Sequence, residues 1–185
     1  LSQYSVDSGR SACTCMALYA AQEYLQNPIM TAERIEECIR QGSKIYRTLQ
    51  TTVEHTAVDD VISAFPSLQI RSTHQDMLHR DRNMGLMGVL SRIQGPACRI
   101  ASKPPETVLV ILPPPNSLPY ILLDTHPRPH QFSTETAYAR LCTTAAGLYA
   151  SLEDIFAKVE LSDVDPFAMQ LYNAFEVTVV GLKEE

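Results

Sequence analysis

Thr107-Val108-Leu109-Val110-Ile111-Leu112 and Tyr120-Ile121-Leu122-Leu123 are the two apolar runs that decide the fold of this chain. The first run is apolar and rich in β-branched residues, which is typical of a strand buried on both faces. A short break that begins with Pro113-Pro114-Pro115 separates the runs and predicts a β-hairpin. We therefore expect a mostly antiparallel sheet in the second half of the chain.

An Asp-x-His pair follows the second run directly, as Asp124 and His126. Side chains at positions i and i+2 of a strand point to the same face. The Asp124 carboxylate can therefore hold the His126 imidazole in one tautomer and orient it as a general base. His130 is an alternative base nearby, but it has no carboxylate on its own strand face.

A helix is predicted upstream, from Ser11 as a candidate N-cap to Asn27-Pro28, and it carries the candidate nucleophile Cys13. In the first helical turn, free N–H groups and the positive end of the helix dipole favour an anion. This position predicts a lowered pKa for the Cys13 thiol. Cys15 is the competing nucleophile, which we assign to a wetter face of the same helix.

Further elements are predicted on both sides of the hairpin. We expect helices over about 32–50 with Thr31 as cap, over 57–65 and over 83–93, and a short strand over 68–70. An exposed loop or a helix end is expected from His74 to Arg82. A helix starting at Ser151, a helix over 167–172 and a strand over 175–180 complete the pattern.

This order of elements predicts an α+β fold in a single catalytic domain over residues 1–185. A helical half, about 1–66, carries the nucleophile. It packs on a sheet-rich half, about 67–185, which carries Asp-x-His. The layout resembles that of papain-like enzymes.

Thiol, imidazole and carboxylate together are the parts of nucleophilic cysteine catalysis, with Cys13 attacking, His126 as base and Asp124 orienting it. A metal site built from Cys13, Cys15, His126 and His130 is the weaker alternative, because the chain has no CxxC pair. Phosphate-loop, dinucleotide and GxSxG motifs are absent as well. We expect no cofactor and no metal.

Charge and cysteine content narrow the partners and the compartment. The net charge of −6 argues against nucleic acid as a partner. No apolar run reaches 18 residues, so we expect no membrane span. Five cysteines, an odd number with two of them only two positions apart, favour a reducing intracellular compartment, cytoplasmic or nuclear.

Gln3, Cys13 at the start of a helix and Asp124-Thr125-His126 at the end of a strand resemble the herpesvirus large-tegument deubiquitinases and their viral-tegument-like cellular relatives. These papain-like cysteine peptidases use a closely spaced Asp-x-His. Most other papain-like peptidases place His before a distant Asn or Asp. The resemblance covers about residues 1–27 and 107–133, and the second cysteine, Cys15, departs from the pattern.

The resemblance implies cleavage after the C-terminal glycine of ubiquitin, with ubiquitin or polyubiquitin as the partner. It also implies that Gln3 helps to hold the oxyanion. Two alternatives stay open. One is a cysteine peptidase or acyltransferase that acts on another ubiquitin-like modifier, and the other is a non-catalytic ubiquitin-binding module of the same fold.

Overall fold

The computed structural model describes residues 1–51, 53–79, 81, 84–93, 97–114, 119–160 and 165–184. Within these ranges six strands form one sheet and seven α-helices surround it. The strands are β1 (Leu68–Met77), β2 (Ala97–Lys103), β3 (Glu106–Leu112), β4 (Tyr120–Asp124), β5 (Tyr138–Cys142) and β6 (Ala174–Leu182). The helices are α1 (Cys13–Gln26), α2 (Ala32–Thr48), α3 (Val58–Val61), α4 (Gly85–Arg92), α5 (Pro129–Phe132), α6 (Ala145–Ile155) and α7 (Pro166–Asn173).

The sheet has the strand order β1-β6-β2-β3-β4-β5, and each of its pairings is antiparallel. The predicted hairpin is confirmed, because β3 and β4 pair with Leu109 opposite Leu123. In the next pairing Asp124 lies opposite Tyr138 of β5. The sheet therefore brings the end of β4 beside Tyr138, which lies on another strand, 14 positions away from Asp124.

Helices cover both faces of the sheet. On one face α1 and α2 pack against the apolar side chains of the central strands, such as Leu109, Ile111 and Leu123. On the other face α4 and α6 pack against the alternating residues, such as Val110 and Leu122. The apolar run of β3 is buried throughout its middle because it has a helical layer on each side. No helix in the described ranges has the length and apolar content that a membrane crossing requires.

The start of α1 differs from the prediction. The helix begins at Cys13 with Ala12 as N-cap and no capping side chain, so the assignment of Ser11 as cap is wrong. The chain is already turning before the helix, since the N–H of Ser11 donates to Ser8 O and that of Ala12 to Gly9 O. The predicted cap of α2 is confirmed, because Thr31 accepts from the N–H of Arg34.

Helices α1 and α2 approach closely at Gly42. A Cβ atom at this position would lie 2.5 Å from the Cα of Met16, so a larger residue would collide with the backbone of α1. The glycine is therefore a packing residue of the α1–α2 contact rather than a bend, and it helps to fix the helix that begins with Cys13.

Several predicted elements are wrong in extent. Strand β1 continues to Met77, so His74–Met77 is strand and neither loop nor helix end, while Arg80, Arg82 and Asn83 lie outside the described residues. Helix α6 begins at Ala145 with Thr144 as its capping residue, which leaves Ser151 inside the helix. Strands β2 and β5 were not predicted, because their sequences lack a long β-branched run.

Candidate active site

Asp124 ends β4 with its carboxylate fully buried and bonded on both oxygens. Oδ1 accepts from the His126 ring Nδ1 at 2.6 Å and from the His126 backbone N–H at 2.9 Å. Oδ2 accepts from Arg128 Nε at 2.8 Å and from the Tyr138 hydroxyl at 3.3 Å. A buried carboxylate needs such partners to remain charged.

The same contacts decide the protonation of Asp124. Burial by itself would raise the pKa of this carboxyl, but the hydrogen bond and charge of His126 and the charge of Arg128 outweigh it. The pKa of Asp124 is therefore below its ordinary value, and the group is an anion at neutral pH. An anionic Asp124 can accept the Nδ1 proton and stabilise a positive charge on the imidazole.

His126 is held by that bond in the orientation expected of a general base. The side chain is buried, and the Tyr4 ring packs edge-on against the imidazole with 6.1 Å between ring centroids. Because Nδ1 is engaged with Asp124, Nε2 is the nitrogen available for proton transfer. The structure thus brings Asp124 and His126 together as the sequence predicts.

Gln3 joins the same group. Its backbone N–H donates to Thr125 O at 2.9 Å, and its side-chain Oε1 accepts from the Thr125 hydroxyl at 2.8 Å. This bond leaves the amide nitrogen of Gln3 as the donor end of the side chain. Gln3 and His126 line one cavity of about 480 Å³. The amide is therefore near the base, where an oxyanion donor is useful.

Cys13 is the first residue of α1, with 2% of the residue exposed. The thiol points to Pro105 O, with Sγ at 4.0 Å from that oxygen. Burial raises the pKa of the Cys13 thiol, although hydrogen bonds from Thr107 and Thr14 oppose the effect. The predicted lowering of this pKa is therefore wrong for the resting protein, because desolvation exceeds the help from the helix N-terminus.

The two alternatives to these residues are placed differently. Cys15 is fully buried and its pKa is raised to about 12 by desolvation first and by Cys13 second, so its assignment to a wetter helix face is wrong. His130 lies exposed in α5. Within the described part of the chain, no three His, Cys, Asp or Glu side chains cluster as metal ligands.

Cys13 and His126 lie on neighbouring cavities. Cys13 lines a cavity of about 310 Å³, and His126 lines the cavity of about 480 Å³. His55, Pro105 and Glu106 line both, so the two cavities adjoin at these residues. No hydrogen bond joins Cys13 to His126 among the described residues. The structure therefore brings Gln3, Asp124 and His126 together and places Cys13 on the adjoining cavity.

Arg128, Tyr138 and Glu106 belong to the site but were not predicted from the sequence. Arg128 bridges Asp124 and Glu106, with 2.8 Å from its Nη1 to Glu106 Oε1. Its setting in Pro127-Arg128-Pro129 signals only a strand end. Tyr138 faces Asp124 through strand pairing, which no sequence pattern indicates before β5 is known. No sequence pattern indicates these residues, because they act through tertiary contacts.

Comparison with solved structures finds proteins of similar fold. The fold is similar to that in the crystal structure of the ubiquitin-specific protease encoded by murine cytomegalovirus tegument protein M48, in complex with a ubiquitin-based suicide substrate. The TM-score is 0.65 at 12% sequence identity, and the alignment covers 95% of this chain and 79% of that chain. No protein-family profile and no curated protein matches the sequence. The match supports the predicted resemblance at the level of the fold.

Proposed function

We propose that this chain is a cysteine-dependent deubiquitinase that cleaves the bond after the C-terminal glycine of ubiquitin. The observation that carries the proposal is the 2.6 Å bond from His126 Nδ1 to Asp124, in a cavity adjacent to the one that Cys13 lines. The shared fold with a viral ubiquitin-specific protease supports the same reading. Ubiquitin or polyubiquitin is the proposed partner, in the cytoplasm or nucleus.

The proposed reaction begins with proton transfer from the Cys13 thiol to His126 Nε2. The sulfur then attacks the glycine carbonyl, and the Gln3 amide N–H donates to the oxyanion that forms. His126 returns the proton to the leaving amine, which breaks the scissile bond and leaves a thioester on Cys13. Water, deprotonated by His126, attacks the thioester; the C–S bond breaks and ubiquitin leaves with its terminal carboxylate. The expelled Cys13 thiolate takes the proton back from His126. Asp124 stabilises the imidazolium at both steps.

The raised pKa of the Cys13 thiol fits this order of events. A thiol that keeps its proton at rest depends on His126 for activation, so the base works during the reaction rather than before it. Sulfur and imidazole must come to about 3–3.5 Å of each other for the transfer. We propose that the entering substrate displaces the Pro105 carbonyl from the thiol and so permits this approach.

The test uses ubiquitin with an electrophile in place of its C-terminal carboxylate, which traps an active thiol. We expect one adduct per chain, lost in Cys13→Ala because the nucleophile is gone and kept in Cys15→Ala. We also expect steady-state cleavage of a ubiquitin–fluorophore amide to fall at least about a hundredfold in His126→Ala, in line with removal of a general base. Intact-mass spectrometry and fluorescence release give the two readouts.

His130→Ala is the matched control for the base, since His130 is exposed and close in sequence. It should retain full turnover. Labelling only by an electrophile on another ubiquitin-like modifier would replace ubiquitin as the substrate. Ubiquitin binding without labelling by any such reagent would exclude cleavage and favour a non-catalytic binding module.

A further inference from the structure

A buried chain of ion pairs runs from the base to Glu106, a residue that lines both cavities. Arg128 donates from Nε to Asp124 and from Nη1 to Glu106, each at 2.8 Å. The Arg128 side chain is 8% exposed, that of Asp124 is fully buried, and that of Glu106 is 26% exposed. The chain Glu106–Arg128–Asp124–His126 is therefore shielded from water over most of its length, where charges interact strongly.

Arg128 uses different nitrogens for its two carboxylates. This fixes the plane of the guanidinium, and with it the position of Asp124 Oδ2. Oδ1 is then left to the imidazole and backbone of His126. Without Arg128, Oδ2 would keep only the longer 3.3 Å bond from Tyr138. A carboxylate held by that bond alone has more freedom to rotate away from the ring.

We infer that Arg128, anchored by Glu106, is a positioning residue that orients the Asp124 carboxylate toward the His126 ring. Its meaning for catalysis rests on the proposed function, although its effect on the imidazole does not. Glu106 contributes by holding Nη1 of the guanidinium, which keeps Nε directed at Asp124.

Other charged and titratable groups face His126 from the surrounding elements. Tyr4 and Arg10 come from the segment before α1, and Glu54 and His55 from the segment before α3; all four line the cavity of His126. Tyr138 comes from β5 through its bond to Asp124. These groups are the same in every variant below, so they affect His126 equally in all of them. Differences between variants therefore report Arg128 and Glu106.

The experiment observes, by proton NMR in a Cys13→Ala background, the proton that His126 Nδ1 shares with Asp124. His126→Asn identifies the signal among the five histidines. In Arg128→Gln the carboxylate is free to rotate, so the signal should move upfield or broaden beyond detection as this bond weakens. Arg128→Lys keeps the charge but not the two-nitrogen fork, so it should change the signal in the same direction. Glu106→Gln should do so to a smaller extent.

Arg40→Gln is the matched control, an exposed arginine paired with Glu36 on α2, and it should change nothing. With Cys13 restored, Arg128→Lys should lower kcat about tenfold at unchanged KM, because lysine cannot reproduce the two-nitrogen fork. Folding of each variant is checked by near-ultraviolet circular dichroism.

An unchanged signal in folded Arg128→Gln overturns the inference. Should that variant fail to fold, an unchanged signal in folded Arg128→Lys overturns it as well. The measurement needs no substrate. A chain that fails to cleave ubiquitin but shows these changes of the signal therefore refutes the proposed function and leaves the Arg128 inference standing.

Discussion

At the scale of single residues, contact with a cavity distinguishes one cysteine from the others. All five are buried with free thiols, yet Cys13 alone among them lines either of the two cavities at the candidate site. Desolvation raises the pKa of Cys15, Cys38 and Cys98 to about 12 in each case, so these thiols are unreactive at neutral pH. Contact with a cavity, rather than a lowered pKa, identifies the candidate nucleophile in this chain.

Asp124 leads to a prediction about acid stability. Its folded pKa is lowered, so the stability that it contributes is fully present above its unfolded pKa of about 3.9 and is lost as the pH falls through the lower folded value. We expect the free energy of unfolding in urea to decline below about pH 4, and to decline less steeply in Asp124→Asn. Asp154→Asn, at an exposed position of α6, should keep the wild-type slope. Equal slopes in wild type and Asp124→Asn would contradict this assignment.

Local spacing was enough to predict the pair of Asp124 and His126, although not for the reason expected. Strand β4 ends at Asp124, and His126 lies just beyond it, held by bonds from its backbone N–H and its ring to one carboxylate oxygen. Spacing was not enough for Arg128, whose partner Glu106 is 22 positions away, or for Thr125, whose hydroxyl holds Gln3 from 122 positions away. Side chains that meet across the chain leave no periodic signal. These supporting residues could be identified only from coordinates.

At the scale of elements, the close contact of α1 with α2 leads to a second prediction. Gly42→Ala adds a Cβ within 2.6 Å of three Met16 atoms, two of them backbone. We expect a loss of about 1–3 kcal/mol in the free energy of unfolding from overpacking, which exceeds the gain of up to about 1 kcal/mol in helix propensity. Urea unfolding measures it.

Gly147→Ala is the matched control in α6, because the nearest atom to its added Cβ lies at 3.3 Å and the position is exposed. It should be neutral or slightly stabilising. A Gly42→Ala variant as stable as wild type would show that α1 can shift to accept the methyl group. The position of Cys13 would then be less firmly fixed than the packing indicates.

The elements that the sequence analysis recognised are those with strong patterns, such as the apolar run of β3 and the capped amphipathic α2. The strand β1 was underestimated for a physical reason. It is an edge strand whose later residues are mostly exposed, so its sequence is polar and resembles a loop. Strand β5 lies at the opposite edge and is short. Edge strands need only one partner, and that partner is set by the tertiary fold.

At the scale of the whole molecule, the sheet depends on β6, which pairs with β1 on one side and β2 on the other. Removal of residues 174–185 should therefore prevent folding, because β1 loses its sheet partner and the buried Val177 and Val180 are lost from the two cores. We expect an insoluble chain, or one without a cooperative thermal transition by circular dichroism. Removal of residues 184–185 alone should leave the transition in place. A soluble, cooperatively unfolding chain without β6 would contradict this view of the sheet.

The central place of β6 also bears on how the protein is made. Translation delivers Cys13, Asp124 and His126 well before residues 174–182, and β1 has no neighbour in the sheet until those residues are synthesised. The candidate site therefore lacks its complete supporting sheet while residues 174–182 are missing from the growing chain. Pairing of β1 with β6 also closes a long loop of the chain, which makes it a slow step of folding.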